Sequence, residues 1–281
     1  MLRFLLVLTV ASTVGLQGWR TLFNNFAVEV VHLDGLHIGM IQSIREVPGF
    51  LALLAVWVLL FIQEHRLSAL SVVVLGAGTA LTGFYPSYLG LATTTLVMSF
   101  GFHYYETVNQ SLTLQYFDKQ TAPLVFGAMR SLAAVSNVAV GVTVFLLASV
   151  TDYRTMFLLL GGLIVVLGAW GLRQDPVDRA LEPQHKHMVF RRRYALFYFL
   201  TFMAGARRQV FAVFSVFLLV KVFAFGIREI AVLFVLNNVI GYFAGPWAGR
   251  AIVRYGERTI LSVEYAGLIA VFLAYAFTSS K

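Results

Sequence analysis

Apolar residues run through this chain in long blocks broken by short polar or glycine-containing connections, and nowhere do they alternate with polar residues over a barrel-strand length. Blocks of about 20 residues suit helices crossing a hydrocarbon core, whereas a barrel strand needs about 10 residues of alternating polarity. The pattern predicts nine helical spans, at 3–31, 36–62, 67–85, 88–116, 124–149, 155–172, 193–221, 227–249 and 259–277. The opening MLRFLLVLTVAS has the charged and apolar parts of a signal peptide. Its apolar character continues to Val31 without a small-residue cleavage site, so it reads as the first span. One connection differs from the others: from Arg173 to Arg193 the chain is polar, carries Pro176 and Pro183, and separates six spans from three. The expected organisation is a six-helix half at 1–172, a linker at 173–192 and a three-helix partial half at 193–281.

Composition agrees and adds an orientation. Of 281 residues, 59% are hydrophobic and 12% charged, far below the roughly 25% charged residues of a soluble domain, so this is an all-α integral membrane protein. A formal charge of +8 raises the question of nucleic acid, and its distribution answers it. With the N-terminus inside, twelve basic residues fall on inner segments: Arg3, Arg66, Lys119, six from Arg173 to Arg193, Arg250, Arg254 and Arg258. Only Arg154, Lys221, Arg228 and Lys281 fall on the opposite side. By the positive-inside rule this predicts a cytoplasmic N-terminus in a cell membrane, plasma or inner, with lipid as the partner and no nucleic acid. Arg191 to Arg193 then serve as a topology anchor that can also meet lipid phosphates. The absence of cysteine removes disulfides and thiolate metal sites.

Against that background the stretch GFHYYETVNQ, beginning at Gly101, stands out. A charge at the centre of a membrane helix costs about 2.5–3.5 kcal/mol on insertion scales, so such groups face a bundle interior or a wet cavity. At 100° per residue, His103, Glu106, Thr107 and Gln110 form one stripe, and Gln17, Arg20, Thr21 and Asn24 form another on the first span. In the seventh, Thr201, Arg208 and Ser215 align, with Arg207 one residue aside. Tyr104 and Tyr105 differ by 100° and cannot both face a cavity. The alternative for Gln17, Asn24, Asn109 and Gln110 is interhelical hydrogen bonding, and for His103 a structural hydrogen bond. Arg20 and Glu106 carry the only full charges on their stripes and are expected to interact, across an axial offset of about 10 Å, through water or His103.

Six spans, a basic linker and a second set of spans is a layout similar to the major facilitator superfamily, whose halves are parallel repeats. A sharper likeness is GRAIVRYGERTIL between the eighth and ninth spans. Gly249, Arg254, Gly256, Arg258 and Leu261 match that family's cytoplasmic loop motif, while Val253 stands where the family has Asp, which puts a charge relay through that position in doubt. The first half keeps only Glu64 and Arg66 of the motif, and Gly18-Trp19-Arg20 is echoed by Gly205-Ala206-Arg207. The resemblance implies a helical bundle whose first, fourth, seventh and tenth helices line a central cavity. Three family helices are absent, which points to a partial sequence or to a reduced relative.

The resemblance therefore implies a secondary transporter working by alternating access on a small solute. The arginines point to an anionic solute, since guanidinium forks match carboxylate and phosphate oxygens. The substrate and cavity candidates are Gln17, Arg20, Asn24, His103, Glu106, Gln110, Arg207 and Arg208, with Glu106 also the proton-coupling candidate and no cofactor expected. Two other classes compete. A non-transporting binding or regulatory membrane protein fits the absent helices, and an intramembrane metal enzyme would use His103 and Glu106. The second needs more ligands than any span supplies, and no catalytic triad or phosphate loop is present, so the chain is not expected to be an enzyme or to hold a metal.

Overall fold

The structure is a computed structural model that describes residues 1–148, 150–178, 191–205 and 227–277. Among the described residues all regular structure is helical. Helices α1 (Leu2–Glu29) and α2 (Gly35–Leu51) are followed by a 3-10 turn at Ala52–Leu54 and the short α3 (Ala55–Val58). Then come α4 (Glu64–Thr82), α5 (Tyr88–Tyr116), α6 (Ala122–Leu147) and α7 (Tyr153–Leu172). After the linker, α8 is helical over 195–205, and α9 (Ile227–Tyr255) and α10 (Glu257–Phe277) complete the described chain. Among the described residues, five passages are long and apolar enough to cross a membrane: Leu2–Glu29, Gly35–Val58, Glu64–Thr82, Ala122–Val144 and Tyr153–Leu172. The later part of the expected seventh span, 206–221, lies outside the described residues.

Local chemistry sets the helix starts. Asp34 accepts from the His37 amide at 2.9 Å, Ser87 from the Gly90 amide at 3.0 Å and Asp152 from the Thr155 amide at 3.0 Å, each satisfying a donor that the first turn leaves free. The second span differs from expectation. It was expected over 36–62, and the passage long and apolar enough to cross runs Gly35–Val58, with α2 giving way to the 3-10 turn at Ala52–Leu54 inside it. Pro48 lies inside α2, where it lacks an amide proton and its ring crowds the Ile44 carbonyl one turn earlier, so its effect falls before the 3-10 turn and not at it.

The chain divides into two compact units, Met1–Lys186 with Gly241–Arg250, and His187–Ile240 with Ala251–Lys281. In the first, α4 is gripped between α5 and α7, and α1 packs on α6 and α7. Between lipid-embedded helices burial of apolar surface gives little net drive, so close van der Waals approach through small residues carries the packing. A Cβ on Gly101 of α5 would lie 2.3 Å from the Leu75 amide nitrogen of α4, and one on Gly161 of α7 would lie 2.4 Å from that of Ala80. The core around these crossings is fully buried and includes Trp19, Phe23, Leu75, Phe157 and Ile164. Within the second unit, α9 ends at Gly256, whose φ of +79° favours glycine and lets α10 begin one residue later.

Candidate functional site

The rotation of α5 about its axis is set by hydrogen bonds on two sides. Thr9 of α1 donates its hydroxyl to the Leu5 carbonyl at 2.8 Å, so at the 3.1 Å contact between Thr9 Oγ1 and Tyr105 OH the phenol is the donor. Tyr104, 100° away, donates to the Leu51 carbonyl at 3.2 Å, and Ser99 donates to the Arg45 carbonyl. One side of α5 is thereby tied to α1 and the other to the α2 segment. Tyr105 faces the interior and Tyr104 does not.

This rotation opens a cavity of about 350 Å³ between α1, α5 and α6. From α1 come Thr9, Ser12 and Thr13, and from α6 come Phe126 and Met129. The α5 wall supplies Phe102, Tyr105, Glu106, Asn109 and Gln110. Glu106 is half-buried there, with no ion pair among the described residues. Asn109 is 7% exposed, and its Oδ1 has no hydrogen-bond partner among the described residues.

Of the residues nominated from sequence, the structure brings Glu106 and Gln110 together on this cavity. His103 is on the flank of α5 that meets α2, where its ring lies 3.1 Å from the place a Gly49 Cβ would occupy. Gln17 is half-buried and donates to the Thr21 hydroxyl at 3.4 Å, while Thr21 donates back to the Gln17 carbonyl at 2.8 Å. Arg20 is exposed and shares a helical stripe with Thr9 and Thr13, seven residues beyond Thr13 and so about 10 Å farther along α1. No ion pair joins Arg20 to Glu106 among the described residues. The Asn24 side chain, Arg207 and Arg208 lie outside the described residues, as does Ser215. Arg45 and Glu46, in the middle of the second span, pair with each other, and Gln42 accepts from Arg45 at 3.0 Å.

Sequence reasoning missed Thr9, Ser12, Thr13 and the α6 residues, left open which of Tyr104 and Tyr105 faces the cavity, and did not count Asn109 among the cavity candidates. The signal was present on α1, where Thr9, Thr13 and Arg20 continue one stripe at helical spacing. On α5 the wall is centred nearer Tyr105 and Asn109 than the expected stripe from His103 to Gln110, because α2 covers the His103 side.

A second polar recess of about 420 Å³ lies between α1, α6 and α7. There Tyr153 donates to Glu29 at 2.7 Å and Asn25 donates to the other Glu29 oxygen at 3.0 Å, tying the ends of α1 and α7. No group of three His, Asp or Glu side chains gathers to hold a metal among the described residues.

The loop-motif residues have distinct settings. Gly249, in the part of α9 that belongs to the first unit, lies against α6, where a Cβ would come within 2.6 Å of the Pro123 carbonyl oxygen. Four residues earlier Gly245 approaches the Gly127 carbonyl, and Ser131 donates to the Tyr242 carbonyl at 2.6 Å. In the second unit, the Gly256 amide donates to the Ile252 carbonyl at 2.8 Å, Arg254 lies over the Tyr255 ring, and the Arg258 carbonyl accepts from Ser262 at 2.8 Å.

Among known proteins, no curated sequence matches the chain. The family model described as Major Facilitator Superfamily matches residues 4–281. That match runs through the helices around the Glu106 cavity and through the glycine turn of the loop motif, and on it the chain belongs to the major facilitator superfamily, a family of secondary transporters of the membrane.

Proposed function

We propose that this chain moves a small anionic solute by alternating access, and that Glu106 takes up the coupling proton. The observation that carries the reading is the position of Glu106 on the wall of the cavity between α1, α5 and α6, beside Thr13, Asn109 and Gln110, with no cation paired to it among the described residues. An ionised carboxylate in a helix bundle is costly unless a cation or water approaches, and a proton removes that cost. A carboxylate on the solute path therefore gains or loses its proton as the path closes and opens. Arg20, on the stripe that continues the α1 wall, offers a guanidinium fork to the anionic group, and the sequence supplies Arg207 and Arg208 for the opposite half. The distribution of basic residues supports a cytoplasmic N-terminus in a plasma or inner membrane.

Proteoliposomes with an imposed pH gradient test the reading. Wild-type protein accumulates a small organic or inorganic anion against its concentration gradient. Glu106→Gln loses that accumulation and keeps exchange of the same solute across the membrane. Gradient-driven accumulation by Glu106→Gln at the wild-type level sinks the proton role. Transport of neutral solutes with none of anions sinks the anionic reading.

A further inference from the structure

Asn109 is out of place for a residue that merely holds helices together. It is 7% exposed and lines the cavity beside Glu106, yet its Oδ1 accepts no hydrogen bond among the described residues. A buried amide left without partners destabilises a fold, and native structures contain few such groups. Ser12, Thr13 and Gln110 on the wall carry donors, but none of them bonds this oxygen. Tyr105 has given its only proton to Thr9, and Thr9 has given its own to Leu5, so the Tyr105 oxygen has only lone pairs left to offer. Glu106, when ionised, is acceptor-only. Three neighbouring side chains thus offer lone pairs, and the carboxamide nitrogen of Asn109 adds a donor. A hydroxyl or amino group on a solute complements this set, since each donates and a hydroxyl also accepts.

We infer that Asn109 is a specificity residue of the cavity: its carboxamide, with Glu106 beside it, receives a hydroxyl or amino group of the transported solute. The inference rests on the proposed transport function and narrows its substrate class. The solute is an anion that also carries an O–H or N–H donor, such as a hydroxy acid or an amino acid, rather than a simple carboxylate or inorganic anion. Phe102 and Phe126 line the same cavity and give the carbon skeleton an apolar surface. Arg20, about 10 Å beyond Thr13 along α1, lies apart from this subsite, so a solute as short as lactate or alanine meets Asn109 without reaching it.

The first arm of the test needs no known substrate. Asn109→Leu has similar volume and removes the unpaired amide. In purified full-length protein it is expected to raise the melting temperature by about 2 °C or more, with Asn109→Ala as a smaller companion that cannot clash. If both variants melt lower than wild type or fail to fold, the amide is structural and the inference falls.

The second arm measures thermal shifts with matched probes: lactate against propionate, gluconate against hexanoate, alanine against propionate, and the neutral pair ribose against 2-deoxyribose. The expected result is a larger stabilisation of wild-type protein by the hydroxyl- or amino-bearing member, with the difference erased in Asn109→Leu. Equal shifts within every pair, including no shift at all, overturn the subsite. A difference confined to the neutral pair keeps the subsite and sinks the anionic reading, so the two failures are distinguishable.

Discussion

Tyr105 of α5 donates its phenol proton to Thr9 of α1 across 3.1 Å, and this bond, opposite the Tyr104 bond to Leu51, holds the polar face of α5 toward the cavity. Thr9 cannot be the donor because its proton is held by Leu5 at 2.8 Å. Tyr105→Phe keeps the ring and deletes the bond. Interhelical hydrogen bonds in membranes average about 0.6 kcal/mol, so the expected result is a small drop in melting temperature in detergent. Thr9→Val combined with Tyr105→Phe should cost less than the two single losses added together, because both remove the same bond. Simple additivity would mean that the bond does not hold α5 in place.

Neighbouring glycines of α7 should behave oppositely. A Cβ on Gly161 would lie 2.4 Å from a backbone nitrogen of α4, which cannot move aside as a flexible side chain could, whereas a Cβ on Gly162 meets nothing within 4 Å. Gly161→Ala is expected to destabilise by about 1–3 kcal/mol through overpacking. Gly162→Ala removes a glycine from a helix interior and should stabilise by up to about 1 kcal/mol. Yield and melting temperature of the two purified variants check this, and equal behaviour would argue against the close α4–α7 crossing.

Much of the fold was legible because each helix has to bury or solvate its backbone within one apolar run. The fourth expected span, 88–116, coincides with α5, and the sixth, 155–172, differs from α7 only at its start. The 3-10 turn at Ala52–Leu54 was not legible, because hydropathy averages over a window and passes across a local change of helix geometry. For the site, periodicity identified α1 and α5 as polar-faced helices, but it could not fix the rotation of α5 to better than one residue. That rotation depends on Tyr104 meeting Leu51 and Tyr105 meeting Thr9, contacts between residues far apart in sequence. The hydroxyls of Thr9, Ser12 and Thr13 were overlooked because uncharged residues do not stand out in an apolar helix.

Asp152 gives the first unit an acid-sensitive helix start. The Thr155 hydroxyl and amide both donate to it and hold its carboxyl below the ordinary value of 3.8. A group whose folded value is lowered contributes stability above its unfolded value, and that contribution is lost as pH falls through the folded one. The loss therefore sets in as pH falls toward 3.8 and is complete below the lowered folded value. Asp152→Asn retains a capping acceptor and should flatten this part of the pH–stability curve, while Asp152→Ala should lower stability at neutral pH as well. An unchanged acid limb in Asp152→Asn would assign the acid sensitivity elsewhere, with Asp34, held low mainly by the His37 amide, as the next cap to substitute.

Orientation can be read cleanly because the chain contains no cysteine. Single substitutions Pro86→Cys and Val150→Cys should react with a membrane-impermeant maleimide added to intact cells. Lys119→Cys and Val177→Cys should react only after the membrane is opened. The basis is the excess of arginine and lysine on the segments that include Lys119 and the 173–193 linker. The reverse pattern would invert the orientation, and labelling of Lys119→Cys and Val150→Cys from the same side would remove the crossing by α6.

Arg20 and Glu106 provide the sharpest test of how the cavity is organised. Sequence alone suggested that they interact, since each carries the full charge of its polar stripe. In the structure Glu106 shares its cavity with Thr9 and Thr13, and Arg20 lies about 10 Å past Thr13 along α1. His103, the expected bridge, lies against Gly49 on the α2 side of α5. Groups separated by this distance with no shared partner add within about 0.3–0.5 kcal/mol. The double variant Arg20→Gln, Glu106→Gln is therefore expected to show additive losses of stability. Transport should separate the two residues further: Arg20→Gln should raise KM for the anion with coupling intact, and Glu106→Gln should abolish coupling with KM little changed. A coupling energy above about 1 kcal/mol in the stability cycle would show that the two charges meet in a conformation the protein populates, and the path between them would then run along the α1 stripe through Thr13.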